Sequence, residues 1–245
     1  GDGAAVEDSA PVITGSSTEN TLTIKAESGQ TANVTLSGAN IDVSGKVKAA
    51  VSTNGEGNVS IELDGDNTLK SATNHAGLEK NNGGSLTIAD ENKNGKLTAK
   101  GGDYGAGIGG GWRGSGSDIT ISGGEVNATG GVNGAGIGGG CYGYGNNITV
   151  SGDAKLKVQG GVEDNIDGAG AGIGNGGSSD ERAIPVTGAE VEPDTSGLTT
   201  NGSIEYYAPG ADMEKDKPEK TTVGTLSPQE KPIEPIEPAE PEQPE

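Results

Sequence analysis

Phenylalanine is missing from these 245 residues, aromatics of every kind make up 2 %, and tryptophan, methionine, cysteine and histidine occur once each. Each shortage excludes something. A core built without large rings must be thin and regular, with only small aliphatic side chains to fill it. The single cysteine, Cys141, leaves no internal disulfide to form. No apolar run reaches the roughly 18 residues of a membrane span, so membrane insertion is not expected. Basic residues number 16 against 36 acidic ones, a net charge of -20. Phosphate backbones need clustered Lys and Arg, so nucleic acid is not an expected partner, and anionic membrane surfaces are disfavoured for the same reason. Neutral sugars, cations and proteins stay open. Apolar content of 29 % with that charge points to disorder when read by composition alone.

Periodicity overrules composition. Glycine is abundant, and it comes in copies of one peptide: Gly105-Ala-Gly-Ile-Gly-Gly-Gly111, then Gly134 to Gly140, then the worn Gly170-Ala-Gly-Ile-Gly-Asn175. Repeated peptides at such intervals mark a solenoid, whose units cannot bury their apolar side alone. Strand-like runs recur around them: Thr21–Ile24, Val34–Leu36, Val59–Leu63, Leu86–Ile88, Ile119–Ile121, Ile148–Val150 and Ala183–Val186. Most alternate apolar with small polar residues, which turns one face inward. A second set follows after turn chemistry: Ile41–Val43, Leu97–Ala99, Val126–Ala128 and Leu156–Val158. The Gly-Ala-Gly-Ile run supplies a third side through Ala106/Ile108, Ala135/Ile137 and Ala171/Ile173, with weaker versions at Ala76–Leu78 and Ala50–Val51.

Three sides and about 30 residues per turn predict an all-β fold: a single-stranded, right-handed parallel β-helix of about five to seven coils. Equivalent residues should then stack at the spacing of neighbouring strands, roughly 4.8 Å. Ile119 should lie between Leu86 and Ile148, and Ile121 between Ile88 and Val150. Residues 1–20 read as a leader or N-terminal cap, with one short strand at Val12-Ile13. The helix should occupy 21–208, closed by an irregular last turn at 183–208 in which Pro185 suits an edge strand. Residues 209–245 read as a charged, disordered, Pro/Glu-rich spacer, because seven of the chain's 11 prolines lie at 218 or later. A start at Gly1, without Met, is what a mature or trimmed fragment shows.

The motifs carry less chemistry than they suggest. Gly105-x-Gly107-x-x-Gly110 fits the dinucleotide fingerprint, yet no helix follows and the motif repeats at the solenoid period, so these are structural glycines. His75 reads as a surface turn residue, and Cys141 as an inert small residue. Asp64, Asp66, Asp153, Glu163, Asp164 and Asp167 are the acids that would serve a calcium ion. No cofactor is expected otherwise. No repeated pair of carboxylates stands ready for glycoside hydrolysis. The few aromatics are more informative. Tyr104, Trp112, Tyr142 and Tyr144 bracket two consecutive glycine runs, and register makes Trp112 equivalent to Cys141 and Arg113 equivalent to Tyr142. These five residues, Tyr104, Trp112, Arg113, Tyr142 and Tyr144, are the expected ligand-binding edge. Flat rings on a rigid scaffold stack on sugars and anchor protein interfaces.

The glycine repeat, followed by Ile-Thr-Ile/Val-Ser-Gly and a Val-Asn-Ala-Thr-Gly-Gly-like strand, resembles secreted β-helix repeat proteins of Gram-positive gut bacteria. These are often described as carbohydrate-binding or adhesin-like and are similar in fold to pectate lyases. The resemblance covers about residues 58–177. It implies an extracellular, cell-surface or cell-wall-associated adhesin-like protein, expected to be a monomer, that binds a glycan or host glycoprotein without being an enzyme. A host protein such as an immunoglobulin or mucin is the alternative partner, and a polysaccharide lyase the second alternative. The catalytic pattern of pectate lyases does not map onto these residues.

Overall fold

The computed structural model describes residues 11–179 and 185–228. Its elements follow one another turn by turn. The strand β1 (Val12–Ser17) precedes a first turn made of β2 (Leu22–Lys25) and the long β3 (Thr31–Asp42). The second turn is β4 (Val51–Asn54), β5 (Asn58–Asp64) and β6 (Asp66–Lys70); the third is β7 (Leu78–Lys80), β8 (Leu86–Ala89) and β9 (Lys96–Lys100). The fourth is β10 (Ile108–Gly109), β11 (Ile119–Ile121) and β12 (Glu125–Thr129); the fifth is β13 (Ile137–Gly138), β14 (Ile148–Val150) and β15 (Lys155–Gln159). Closing elements are β16 (Ile173–Gly174), β17 (Ser178–Ser179), β18 (Pro185–Val186), β19 (Ser203–Tyr207) and β20 (Lys220–Val223).

Like strands stack on like, in parallel, to give three walls. Wall one is β2, β4, β7, β10, β13 and β16; wall two is β5, β8, β11 and β14; wall three is β6, β9, β12, β15 and β19. The two strands expected at Val34–Leu36 and Ile41–Val43 are one bent strand, β3, whose first half pairs with β5 and second half with β6. The fold is a right-handed parallel β-helix of about five turns.

The expected register holds residue by residue. Ile119 pairs with Leu86 on one side and Ile148 on the other, and Ile121 lies between Ile88 and Val150. Ile108 lies between Leu78 and Ile137. Columns of buried Leu, Ile and Val run the length of the interior. Each such side chain contributes roughly 1.5–3 kcal/mol by leaving water. Strand β6 went unread in the sequence because its first inward residue is polar. Asn67 is buried, and its amide accepts the Ala39 N–H at 2.8 Å while donating to the carbonyls of Asp64, Gly65 and Lys96. The Asp64-Gly-Asp66-Asn67 stretch therefore includes an amide that plugs a corner.

The ends depart from the expected boundaries. β1 lies beside β3 as a parallel first layer, longer than the Val12-Ile13 strand expected there. At the other end, Ala183 and Ile184 lie outside the described residues. Pro185–Val186 does not continue wall two: β18 pairs antiparallel with β17, and Asp194 bridges Thr149 instead. Proline lacks the N–H a stacked strand must donate. The spacer boundary at 209 also moves. β20 pairs antiparallel with β19, and Leu226 bridges Thr199, so residues to about 228 pack onto the last turn. Lys220 sits 4.9 Å from the buried ring of Tyr206, which helps seal that end. Residues 229–245, the most Pro/Glu-rich part of the expected spacer, lie outside the described residues.

Candidate functional site

Two series of tight turns flank wall one, the first where wall three leads into it and the second, in the fourth and fifth coils alone among the described residues, where it leads toward wall two. The first turn bends at 72–75, 102–105 and 131–134, closed by His75, Gly105 and Gly134 N–H groups donating to the carbonyls of Ala72, Gly102 and Gly131. The second bends at 111–114 and 140–143, closed the same way by Gly114 and Gly143. In every one the third residue has positive φ: Asn74, Tyr104 and Asn133 in the first series, Arg113 and Tyr142 in the second. This is the type II pattern, in which glycine or asparagine is normally required at that place. Tyr104 (φ 70°), Arg113 (φ 59°) and Tyr142 (φ 64°) occupy it with bulky side chains. Each costs about 1–2 kcal/mol of backbone strain.

Successive coils lock these turns together. Arg113 N donates to the Cys141 carbonyl at 2.8 Å, Cys141 N to the Tyr104 carbonyl at 2.9 Å, and Trp112 N to the Asn74 carbonyl at 2.9 Å. The predicted equivalence of Trp112 with Cys141 and of Arg113 with Tyr142 is thereby realised as direct stacking. The Arg113 guanidinium lies 4.6 Å from the centre of the Trp112 ring and 5.7 Å from that of Tyr142. One cation thus binds two aromatic rings from adjacent coils into a single patch. Trp112 is 47 % exposed and Tyr142 38 %, so the patch faces solvent. Tyr104 is half-buried and outside the cation–ring stack. Tyr144 is 66 % exposed and stands on the same edge, its carbonyl accepting the Gly116 N–H, outside the cation–ring stack.

Behind the rings lie groups the sequence named only in passing or not at all. The Tyr142 hydroxyl donates to Asp167 Oδ1 at 2.6 Å and meets Ser179 Oγ at 2.7 Å. Asp167 is buried and also receives the Cys141 thiol at 3.6 Å. Burial, and then the charge of Asp167, pushes that thiol up to about 12, so it is protonated at neutral pH. Asp164 is held below the ordinary carboxylate range, first by the Asp167 N–H, with the Tyr104 hydroxyl and the Asn133 amide also contributing. Asn133 was legible only through register, as the asparagine standing where Tyr104 and Asn74 stand in earlier coils. Ser179 had no signal at all.

His75 closes a surface turn, as expected, with its side chain half-buried. Its Nδ1 lies 2.8 Å from Oε2 of the buried Glu79, which also accepts the Ala76 N–H and an Asn81 amide proton. Among the described residues no three His, Cys, Asp or Glu side chains converge as a metal cage, and no helix is long and apolar enough to cross a membrane. An open groove of about 970 Å³ follows the corner between walls two and three, lined by Asp90, Glu91, Lys93, Glu125, Asp153 and Lys155 among others. A 2.8 Å ion pair, Lys93 to Asp153, forms in it. The groove contains no aromatic residue and none of the five expected site residues. The corner of strained, stacked rings is therefore the better candidate.

No curated protein and no solved structure matches the chain significantly. The model of the beta helix repeat family matches residues 93–112 and 119–141, so the chain is similar to that family across the two coils that carry Trp112 and Cys141.

Proposed function

We propose that this chain is a non-enzymatic, adhesin-like protein of the bacterial cell surface or cell wall that binds glycan through the aromatic edge. The observation that carries the reading is the left-handed backbone at Tyr104, Arg113 and Tyr142. Strain at three bulky residues in one corner accumulates where side-chain placement matters more than backbone comfort. It sets two rings and a guanidinium on a rigid edge. Rings of that kind stack on the apolar faces of sugars, and the Arg113 fork offers donors to hydroxyl or carboxylate oxygens. In this reading the chain acts as a monomer, and the Pro/Glu-rich segment after 228 spaces it from its anchor.

A glycan array followed by retention measurements tests this. Trp112→Ala should weaken retention about tenfold, the loss of roughly 1.4 kcal/mol expected from one stacked ring, with an unchanged circular dichroism spectrum. Full retention by the variant refutes the glycan reading. Exposed Val162 and Ile166 in the loop before β16 favour a second one, in which the edge engages a host protein such as an immunoglobulin or mucin backbone. Binding that survives deglycosylation of the partner decides for it. Unsaturated product from an acidic polysaccharide incubated with calcium would instead make the chain a lyase.

A further inference from the structure

The aromatic edge begins at a step. The third coil joins β7 to β8 through the five residues 81–85, whereas the fourth and fifth join wall one to wall two through nine, 110–118 and 139–147. The long loop of the fourth coil therefore overhangs the short one below it. Between the two long loops the stacking is complete: the N–H groups of Arg113, Gly116 and Asp118 donate to the carbonyls of Cys141, Tyr144 and Asn146. By the same register, the equivalent carbonyls of Trp112, Ser115 and Ser117 face the third coil. Its amides turn the other way. Asn81 and Asn82 donate to Thr53 Oγ1 at 3.1 and 3.4 Å, Gly83 to the Gly55 carbonyl at 2.8 Å and Ser85 to Asn58 Oδ1 at 2.9 Å. Among the described residues no backbone N–H donates to those three carbonyls.

The underside of the step is thus a row of acceptors. The side chains of the same loop are turned upward: the Ser115 and Ser117 hydroxyls accept the Tyr144 and Asn146 N–H groups, and Asp118 accepts the Asn147 amide. Beside the row stands Trp112, tied by its N–H to the Asn74 carbonyl and 47 % exposed. Arg113 covers one face of the indole and also reaches Tyr142 in the coil above, which leaves the other face for a ligand. The charges beneath are already matched. A Cβ on Gly111 would lie 2.9 Å from Glu79 Oε2, so this buried carboxylate lies against the step, where His75 Nδ1 meets it at 2.8 Å. The buried Lys80 ammonium donates to the Asn82 carbonyl at 3.0 Å.

We propose that this step is the seat of the glycan and that it takes a neutral sugar, whose ring lies on the uncovered face of Trp112 and whose hydroxyls donate to the carbonyls of Trp112, Ser115 and Ser117. The inference rests on the glycan reading above and sharpens it to a place and a chemical class. A row of acceptors needs donors, and neighbouring hydroxyls supply them. A carboxylate or sulfate brings only further acceptors, and Glu79 and the carbonyls repel it. A peptide strand offers as many C=O as N–H groups, so half of its main chain would stay unpaired here. An apolar surface beside a few placed polar groups is the usual make-up of a small-ligand site. The change from a short loop to a nine-residue loop occurs once among the described coils, so the chain has one such seat and not a repeating track.

Affinity electrophoresis of the full chain tests it, in gels containing galactan, mannan or xylan as neutral polymers and polygalacturonate as the acidic one. The expected result is retardation by at least one neutral polymer, none by polygalacturonate, and little change at raised ionic strength, since no ion pair is made with the ligand. Replacing 81–85 by a copy of 139–147, which contains no tryptophan, gives the third coil a loop whose N–H groups take the three carbonyls. Retardation should then weaken about tenfold or more, the loss of one or two good hydrogen bonds. Where that graft prevents folding, Asn81→Phe fills the same space with one side chain and should act likewise, while Glu125→Gln in the distant groove should change nothing. Retardation by polygalacturonate as strong as by the neutral polymers overturns the neutral class. Retardation lost in Trp112→Ala but kept in the folded graft or in Asn81→Phe overturns the seat and leaves the glycan reading standing. No retardation by any of the polymers overturns both.

Discussion

Wall two and the later coils of wall one are stacked by opposite means. In wall two, side chains carry the contact: Leu86, Ile119 and Ile148 form one buried column, and Ile88, Ile121 and Val150 the next. In wall one the strands shrink to two residues, and beyond Ile108, Ile137 and Ile173 the backbone itself is the packing surface. Gly109, Gly138 and Gly174 have φ of 133°, 131° and 139°, a region closed to other residues. A Cβ on Gly109 would lie 2.0 Å from the Gly138 carbonyl oxygen, and one on Gly138 the same distance from that of Gly174. One coil earlier, Glu79 occupies the place of Gly109. The close approach therefore begins with the glycine repeat, in the same coils that present the strained aromatic corner. Side-chain columns tolerate adjustment; a backbone column does not.

The contrast can be broken at its stiffer wall first. Gly138→Ala must relieve both a forbidden φ and a backbone overlap, and should cost about 4–5 kcal/mol or more, the exceptional range for a single change. Urea denaturation should show the midpoint falling steeply or the chain failing to fold. Ile121→Ala, in wall two, should cost about 3 kcal/mol through lost burial and the cavity left behind. If the two changes prove equal, the walls are not held differently.

A smaller effect comes from Cys141, the one thiol on the glycine corner. Folding keeps it protonated to about pH 12 against an ordinary value of 9.0. Above pH 9 the unfolded chain loses a proton that the folded chain retains. Stability from this group is complete below about pH 9 and falls as pH rises from about 9 to about 12. Cys141→Ala should remove that part of the slope in denaturation series at pH 8, 10 and 11, and alkylation of the thiol at pH 8 should await unfolding. Prompt alkylation would show the corner to be open.

Much of the fold could be read from the chain because a solenoid turns sequence period into spatial contact. Ile108 above Ile137 follows from a 29-residue offset and nothing else. Reading failed where that rule stops. Asn67 fills an inward place with an amide, and polar residues give no period-2 signal. Pro185 and the segment around β20 belong to the end of the helix, where no next copy exists to align with. Within the candidate site, the stacking of Arg113 on Trp112 and Tyr142 follows from register. The roles of Asp167, Asn133 and Ser179 do not, because they depend on how one irregular loop folds back.

The 29-residue offset from Gly105 to Gly134 has a consequence for how such chains can change length. Cutting at those two equivalent points and rejoining would excise a complete storey, yet Gly134 would inherit the neighbours of Gly105, and Ile137 would settle on Leu78 as Ile108 does now. Duplication of the same segment would add a storey at no cost to the joints above and below. Gain or loss of whole units is therefore cheaper for this architecture than a single inserted residue, and the number of ring-bearing levels can drift in whole steps while each level keeps its shape.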